Sequence, residues 1–298
     1  MKVQDIFNFR RFGKYFASDA RTCASNFGLT LVTTALLPPV ILYVLTVGFG
    51  LLFQGTWDGP GLGIRFGVFV VSMIFIFIGM PVKSYGKVTE KQYGSFWLSL
   101  PASRLEKFIS MLIMTCIVVP VIGMAGFMAV DSLICSLDAS CGNGLLQAAL
   151  ALKKNAVEFI NELYNANINL DVHVGPAAYP LKDFPDAIKN LDSPWYYIDD
   201  FIGMILPFLF GAVFFKSHKV VKTILLLIAI SIVASIGISP FITHLTDMFE
   251  GMNDLEDVTL AMNGGFFKKL MVMDTISDTI TNVGFLIAIW FRLKTLKH

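Results

Sequence analysis

Acidic and histidine side chains near the end of the chain have the types and spacing that could support chemistry. His244 and Asp247 are three residues apart, and Asp274 and Asp278 are four apart, so each pair lies on one face of a helix. Carboxylates at membrane depth are costly to bury and often form a cation site or a proton relay. The competing interpretation is that both pairs are solvated helix ends. The pattern predicts a polar outer site, and its spacing matches no metal-binding motif.

Motifs for the commoner enzymatic reactions do not occur in the sequence. It contains no GxxxxGK[ST] phosphate loop, no HExxH and no GxSxG. We therefore expect no catalytic residue, no metal and no cofactor on this chain. Transport driven by Mg-ATP would need a separate ATPase polypeptide. A net charge of +1 also gives no bulk attraction to nucleic acid.

The composition is typical of a membrane protein. Of 298 residues, 55% are hydrophobic and only 15% are charged, whereas soluble domains carry about 25% charged residues. A lipid-spanning helix needs about 20 mostly apolar residues. Six stretches approach that length, namely 29–53, 64–82, 108–130, 195–215, 221–242 and 271–291. We predict an all-α integral membrane protein with six transmembrane helices in a single domain, 1–298. The pair Pro38-Pro39 should kink or break the first span.

Lysine and arginine in the connections set the orientation of such a protein. Placing both termini in the cytoplasm puts most of the 23 Lys and Arg residues inside. Residues 131–194 then form a long extracytoplasmic loop, in which 144–165 have the pattern of an amphipathic helix. Residues 243–270 form an extracytoplasmic loop or re-entrant segment. The first 26 residues are too long and too mixed in charge for a signal peptide.

Two cysteines, Cys135 and Cys141, fall in the predicted outer loop. A disulfide is permitted in that compartment. The alternative is a pair of unbonded small side chains.

The N-terminal segment, 1–26, has an amphipathic pattern in which phenylalanines recur at helical spacing and basic residues occupy other faces. This predicts a short cytoplasmic elbow helix that lies in the membrane interface against lipid headgroups. The alternative is a disordered basic leader. The elbow residues are Phe9, Arg10, Arg11, Phe12 and Phe16.

The connection 84–107 lies between the second and third spans and is patterned like a surface helix. Tyr93, Phe96, Trp97 and Leu100 occupy positions i, i+3, i+4 and i+7, which form one helical face. This predicts a short cytoplasmic helix whose aromatic face enters a groove of a partner. The alternative is an interfacial helix that docks on the membrane without a partner.

The end of this connection carries a helix stop and a helix start. Pro101 disfavours helical geometry at the residue before it. Ser103 and Glu106 then form a capping-box pattern ahead of an apolar run, so the third span should begin at Ser103.

These features resemble the ABC type 2 permeases, the membrane subunits of bacterial ABC exporters. The segment 98–108, LSLPASRLEKF, is similar to the stretch that ends the coupling helix in that family. The resemblance implies a bacterial cytoplasmic membrane protein that pairs with a second permease subunit, as a homo- or heterodimer, and with separate ATPase subunits. It also implies which residues enter a cleft on the ATPase: Tyr93, Phe96, Trp97, Leu100, Pro101 and Arg104.

Three functions remain open at this stage. The resemblance favours the permease subunit of an ATP-binding-cassette exporter. The polar outer site would instead suit an ion- or proton-coupled carrier. The third alternative is a membrane anchor or sensor that transports nothing. An ATPase encoded beside this chain would favour the first.

Overall fold

The computed structural model describes residues 7–90, 94–95, 97, 99–151, 171–174, 177–180, 194–250 and 266–295. Side-chain surroundings are described for 7–90, 94–95, 97, 99–151, 198–236 and 275–295. Tyr93 and Phe96 therefore lie outside the described residues, and so do the side chains of His244, Asp247 and Asp274.

Long helices make up most of the described chain, in keeping with the predicted fold class. They are α1 (Phe9–Phe49), α2 (Leu62–Tyr85), α3 (Arg104–Ile113), α4 (Val119–Leu137), α5 (Pro194–Phe214), α6 (Lys219–Glu250) and α7 (Phe266–Thr295). A π-helical segment, Met114–Val118, joins α3 to α4. The exception to the all-helical prediction is an antiparallel hairpin of β1 (Asp171–Val174) and β2 (Ala177–Pro180), with Val172 opposite Tyr179.

Among the described residues, five helical runs are long and apolar enough to cross a membrane: Phe9–Gln54, Leu62–Thr89, Arg104–Leu137, Lys219–Ile236 and Thr275–Thr295. They coincide with five of the six predicted spans. The remaining prediction, 195–215, coincides with α5, a helix of 21 residues. The chain is thus a multi-pass membrane protein by its helices, while the sixth span and the cytoplasmic position of both termini stay predictions.

Helix α1 differs from the prediction at its start and at Pro38-Pro39. It runs without interruption for 41 residues, through Pro38 and Pro39, before a π-helical segment at Gly50–Gln54. The predicted elbow is thus not a separate helix, because 9–16 are the first turns of the helix that continues into the first span. Asn8 caps this helix, since its side chain accepts hydrogen bonds from the backbone of Arg10 and Arg11.

The segment predicted as 243–270 is also more helical than expected. Helix α6 continues to Glu250, and α7 already begins at Phe266. Residues 266–272 are the first turns of this 30-residue helix, and the re-entrant segment stays a prediction. In the long loop, 145–151 are helical, which matches the start of the predicted amphipathic helix.

The chain divides into two compact units rather than one. The first comprises Met1–Ala151, Met204–Thr223 and Gly284–His298, and the second comprises Leu152–Gly203 and Ile224–Val283. The core of the first unit is made where α1, α2 and the α3–α4 run pack together. Its most buried side chains include Phe27, Ile76, Met80, Met111 and Phe127.

Close helix contacts in this core depend on small residues. A side chain at Gly123 would meet Ile76 and Leu31, and one at Gly79 would meet Phe27. Glycine allows the backbones to approach closely, as is common between helices in membranes. The three helices thereby pack closely against one another in this core.

Candidate functional site

The start of α3 is fixed by the capping box predicted from the sequence. Ser103 Oγ accepts from the Glu106 backbone N–H at 3.2 Å, and Glu106 Oε2 accepts from the Ser103 backbone N–H at 2.8 Å. Two backbone donors at the helix start are thus satisfied, and the negative charge lies at the positive end of the helix dipole. The helix start predicted at Ser103 is confirmed.

Glu106 also joins α3 to α1. Its Oε1 accepts from the Asn8 backbone N–H at 2.8 Å, and Arg11 donates to both carboxylate oxygens, with Nε 2.8 Å from Oε2. The Glu106 side chain is fully buried, so its charge must be balanced by these donors. One carboxylate therefore holds the first turns of two long helices together, a junction we call the Glu106 junction.

The side chain of Trp97 is buried against another residue of the same chain, Lys107. It is only 4% exposed, and Lys107 Nζ lies 5.0 Å from the centre of its ring. The same Nζ donates to the Trp97 carbonyl at 2.7 Å. Trp97 therefore does not present its ring to a partner in this structure, contrary to the predicted docking role. It binds the end of the connection to α3 through a cation–π contact and a hydrogen bond.

The exposed part of the predicted coupling set is the turn just after Trp97. Pro101 and Arg104 are exposed and Leu100 is half-buried. Arg104 also donates a hydrogen bond to the carbonyl of Lys294, near the end of α7. Phe108 and Trp290 strengthen the same contact, with ring centres 5.6 Å apart. The turn is therefore supported by α3 and α7 while it faces solvent.

The beginning of the connection is fixed by the first residue of α6, Lys219. Lys219 Nζ donates to the carbonyl of Gly86 and to Thr89 Oγ1, the latter at 2.9 Å. Gly86 and Thr89 belong to a short 3₁₀ helix that follows α2. Both described ends of the 84–107 connection are thus bonded to other helices of the first unit.

A buried polar network beneath this connection was missed by the sequence reasoning. Asp19 Oδ2 accepts from the Tyr85 hydroxyl at 2.9 Å and from the Ser110 hydroxyl at 2.6 Å. Cys23 Sγ lies 3.5 Å from the same Tyr85 hydroxyl. Polar residues from three helices meet here, separated by 66 and 91 positions in sequence. Local spacing carries no signal for such a contact.

A second buried ion pair lies toward the other end of the same helices. Arg65 and Asp131 are 4% and 2% exposed, with Nη1 and Oδ2 3.1 Å apart. Arg65 Nη2 also donates to the carbonyls of Cys141 and Asn143 at 3.0 and 2.8 Å. Asp131 Oδ2 accepts from the Leu145 backbone at 2.7 Å. This cluster fixes the start of the long loop to α2 and α4, and its only sequence signal was a lone Arg beside an apolar run.

Cys135 and Cys141 are brought together at this cluster. Both are buried and unbonded, and Arg65 Nη1 lies 2.7 Å from Cys135 Sγ. Burial is the main cause that raises the pKa of the Cys141 thiol, with a smaller contribution from Asp138. The predicted disulfide is thus not formed in this structure, although both thiols lie at one site. Its formation stays a prediction.

Asp138 closes the same end of the bundle. Its Oδ2 accepts from the Tyr43 hydroxyl at 2.7 Å and from the Trp57 indole at 2.9 Å, and its Oδ1 accepts from the Ser140 backbone at 2.9 Å. The hydrogen bond from Tyr43 is the largest of several that lower the pKa of Asp138 well below its usual value. Asp138 therefore joins α1 to the end of α4.

The polar outer site predicted from the sequence is described only at Asp278, which is half-buried on α7. His244, Asp247 and Asp274 are helical in backbone, but their side chains lie outside those described. The second unit instead shows a polar cluster around Asp199. Its carboxylate accepts from Thr279 Oγ1 and from Asn282 Nδ2, each at 2.8 Å. Asp199 is a residue that the sequence reasoning missed.

The predicted elbow residues divide by surroundings. Phe9 is 83% exposed and Arg10 is exposed, whereas Arg11, Phe12 and Phe16 are half-buried. The Phe12 and Phe16 rings lie 5.9 Å apart. Arg11 forms an ion pair with Glu106 in the Glu106 junction, a contact that the amphipathic pattern did not indicate.

No group of three or more His, Cys, Asp or Glu side chains among the described residues is placed to hold a metal ion. No family model, curated protein or solved structure matches this chain.

Proposed function

We propose that the chain is the permease subunit of an ATP-binding-cassette exporter of the bacterial cytoplasmic membrane. It forms part of the translocation path together with a second permease subunit. A separate ATPase subunit binds the exposed turn at Leu100, Pro101 and Arg104 and supplies the energy from Mg-ATP. The proposal is supported by the five apolar helices and by the resemblance of 98–108 to the coupling stretch of that family.

The observation that carries the proposal is the Glu106 junction. A force applied to the exposed turn reaches Ser103 within two residues, and Ser103 is bonded to Glu106. Because Glu106 also binds Asn8 and Arg11, the start of α1 moves with the start of α3. A partner that pushes on the turn therefore displaces two long apolar helices at once, which is what coupled transport requires.

The structure changes which residues are expected to contact the ATPase. The Trp97 ring packs against Lys107 within the chain. Truncation of Trp97 would therefore disturb the fold as well as any interface. Leu100 and Arg104 are better probes because they are half-buried and exposed, respectively. Interface energies concentrate in a few side chains, so single changes there are expected to be informative.

The test is co-expression with an ATPase subunit encoded beside this chain, followed by co-purification and an ATP hydrolysis assay in proteoliposomes. We expect Leu100→Asp and Arg104→Glu each to lower ATPase recovery at least tenfold. Leu146→Asp and Lys222→Glu are matched controls, because both residues are exposed away from the turn and their recovery should be unchanged. Equal recovery for all four variants would refute the proposed docking turn.

A further inference from the structure

The first four turns of α1 carry a row of basic side chains beside the exposed turn. Arg10, Lys14 and Arg21 are exposed and recur at spacings of four and seven residues, so they share one helical face. None of the three forms a salt bridge with a described residue. We call this row, with the groove beside it, the basic groove.

The groove has a volume of about 710 Å³. It is lined on α1 by Arg10, Lys14, Tyr15 and Ser18, and across from them by Leu100 and Pro101. The acidic groups described nearby do not neutralise it. Glu106 is bound to Arg11, and Asp19 is directed to the interior, where Tyr85 and Ser110 bind it.

The exposed surface of this part of α1 is not that of a lipid-facing helix. Between Phe9 and Leu29 no exposed side chain of α1 is large and apolar. The exposed residues there are Arg10, Gly13, Lys14, Ala17, Ser18, Arg21, Ala24 and Ser25. From Leu29, which is 80% exposed, the surface becomes apolar. The lipid-facing part of α1 therefore begins near Leu29.

The distance along α1 argues against lipid headgroups as the ligand. Lys14 precedes Leu29 by fifteen residues, which corresponds to about 22 Å along a helix at 1.5 Å per residue. The headgroup layer on each side of the hydrocarbon core is only about 5–8 Å thick. An average tilt of about 20° shortens the 22 Å very little. Arg10 and Lys14, which line the groove, thus lie in water beyond the headgroups, whereas Arg21, eight residues or about 12 Å before Leu29, lies closer to them.

We propose that the basic groove binds an acidic segment of a soluble cytoplasmic protein. The inference rests on the proposed orientation, with the N terminus in the cytoplasm, but not on the identity of the partner as an ATPase. Three cations on one face, none in an ion pair with a described residue, supply charge complementarity, and Leu100 and Pro101 supply an apolar wall for the residues between the acidic ones. Complementary charge mainly raises the association rate and selects the partner, and it is weakened by salt.

The experiment uses the full chain in nanodiscs of zwitterionic lipid and a fluorescent peptide of eight glutamates as the probe. The groove variant is Arg10→Gln/Lys14→Gln/Arg21→Gln, whose exposed positions should leave folding intact. The matched control, Lys87→Gln/Lys216→Gln/Lys222→Gln, removes the same charge from exposed positions elsewhere. We expect the groove variant to bind the peptide at least tenfold more weakly at low salt, while the control keeps most of its affinity.

Two results would overturn the inference. One is equal loss of peptide affinity in the groove variant and the control, which would mean that only net charge matters. The other is unchanged peptide affinity together with loss of phosphatidylglycerol from the purified groove variant, which would assign the groove to an anionic lipid. Either result leaves the proposed function intact, because that proposal is tested at Leu100 and Arg104.

Discussion

The guanidinium of Arg11 and the carboxylate of Glu106 join the first turn of α1 to the first turn of α3, with Nε and Oε2 2.8 Å apart. Ninety-five residues separate the two positions in sequence. Because Glu106 is fully buried while Arg11 keeps partial access to water, the carboxylate depends on this contact more than the guanidinium does.

Glu106→Ala should therefore be strongly destabilising. It removes the acceptor for Asn8, Arg11 and Ser103 together, and we expect a loss of about 2–4 kcal/mol in the free energy of unfolding. Glu106→Gln should cost less, because its amide oxygen still accepts one of these bonds. Thermal unfolding in detergent measures both, with Arg10→Ala as the control because Arg10 has no ion pair among the described residues. Equal stability of Glu106→Ala and Arg10→Ala would contradict the prediction.

At the Arg65–Asp131 pair, replacing both residues should destabilise the protein less than replacing Asp131 alone. Asp131→Asn keeps an acceptor for Leu145 but leaves the buried guanidinium without a counter-charge, at a cost of about 3–5 kcal/mol. Arg65→Met/Asp131→Asn removes both charges and should be less destabilised than Asp131→Asn. Chemical unfolding of the native protein, Asp131→Asn, Arg65→Met and the double variant gives the coupling energy. A double variant less stable than Asp131→Asn would show that the Arg65 bonds to backbone carbonyls dominate.

Gly211 should not accept a side chain. An added Cβ would overlap the Thr223 side chain on the neighbouring helix, so Gly211→Ala is expected to lower the free energy of unfolding by about 1–3 kcal/mol. Gly284→Ala is the matched control, since nothing lies within 4 Å of its added Cβ and alanine favours a helix. Thr223→Ala should rescue part of the Gly211→Ala defect. A Gly211→Ala protein as stable as the native one would mean that Gly211 and Thr223 are not in close contact.

The stability of the protein should fall on acidification partly through Asp138. Its pKa is lower in the folded protein than in the unfolded chain, where it is about 3.9. The carboxylate therefore contributes its full stabilisation above about pH 4, and that contribution is lost as the pH falls toward the lower folded value. Melting temperatures from pH 6 to pH 3 should decline less steeply for Asp138→Asn than for the native sequence. Parallel curves would exclude this carboxylate as a source of acid sensitivity.

Oxidation of Cys135 and Cys141 should be possible but slow at neutral pH. The thiolate is the reactive form, and the raised pKa of Cys141 keeps it scarce. Copper-phenanthroline treatment should protect both thiols from a maleimide-polyethylene glycol reagent, and the rate of protection should rise between pH 7 and pH 9. Cys135→Ser and Cys141→Ser, each in a protein that also lacks Cys23 and Cys116, are the controls. Persistent labelling of both thiols after oxidation would show that no bond forms between them.

Local patterns predicted much of this fold. The apolar runs located five of the membrane-length helices among the described residues, and Ser103 with Glu106 located the start of α3, because both signals lie within one continuous stretch of sequence. The continuity of α1 was missed, since Pro38 and Pro39 were expected to interrupt it. A polar stretch before Leu29 also suggested a boundary where the helix in fact continues.

The side-chain contacts of the site were largely beyond sequence reasoning. Trp97 was placed correctly on a helical pattern, but the pattern does not say whether an aromatic face meets another protein or its own Lys107. The Asp19 network and the Arg65–Asp131 pair join residues at least 62 positions apart. Only the tertiary packing of α1, α2 and the α3–α4 run brings such residues together.

Helix α1 is bonded to the α3–α4 run near both of its ends, through Arg11 to Glu106 and through Tyr43 to Asp138. The two bonds are thirty-two residues apart on α1, or about 48 Å. Because the two helical runs are bonded near both ends, they cannot slide along each other without breaking one of these bonds. Movement that keeps both bonds must come from bending within the helices. The positions that favour bending are Pro38-Pro39 in α1 and the π-helical segment Met114–Val118 in the α3–α4 run. These helices are therefore expected to move by bending rather than by sliding along one another.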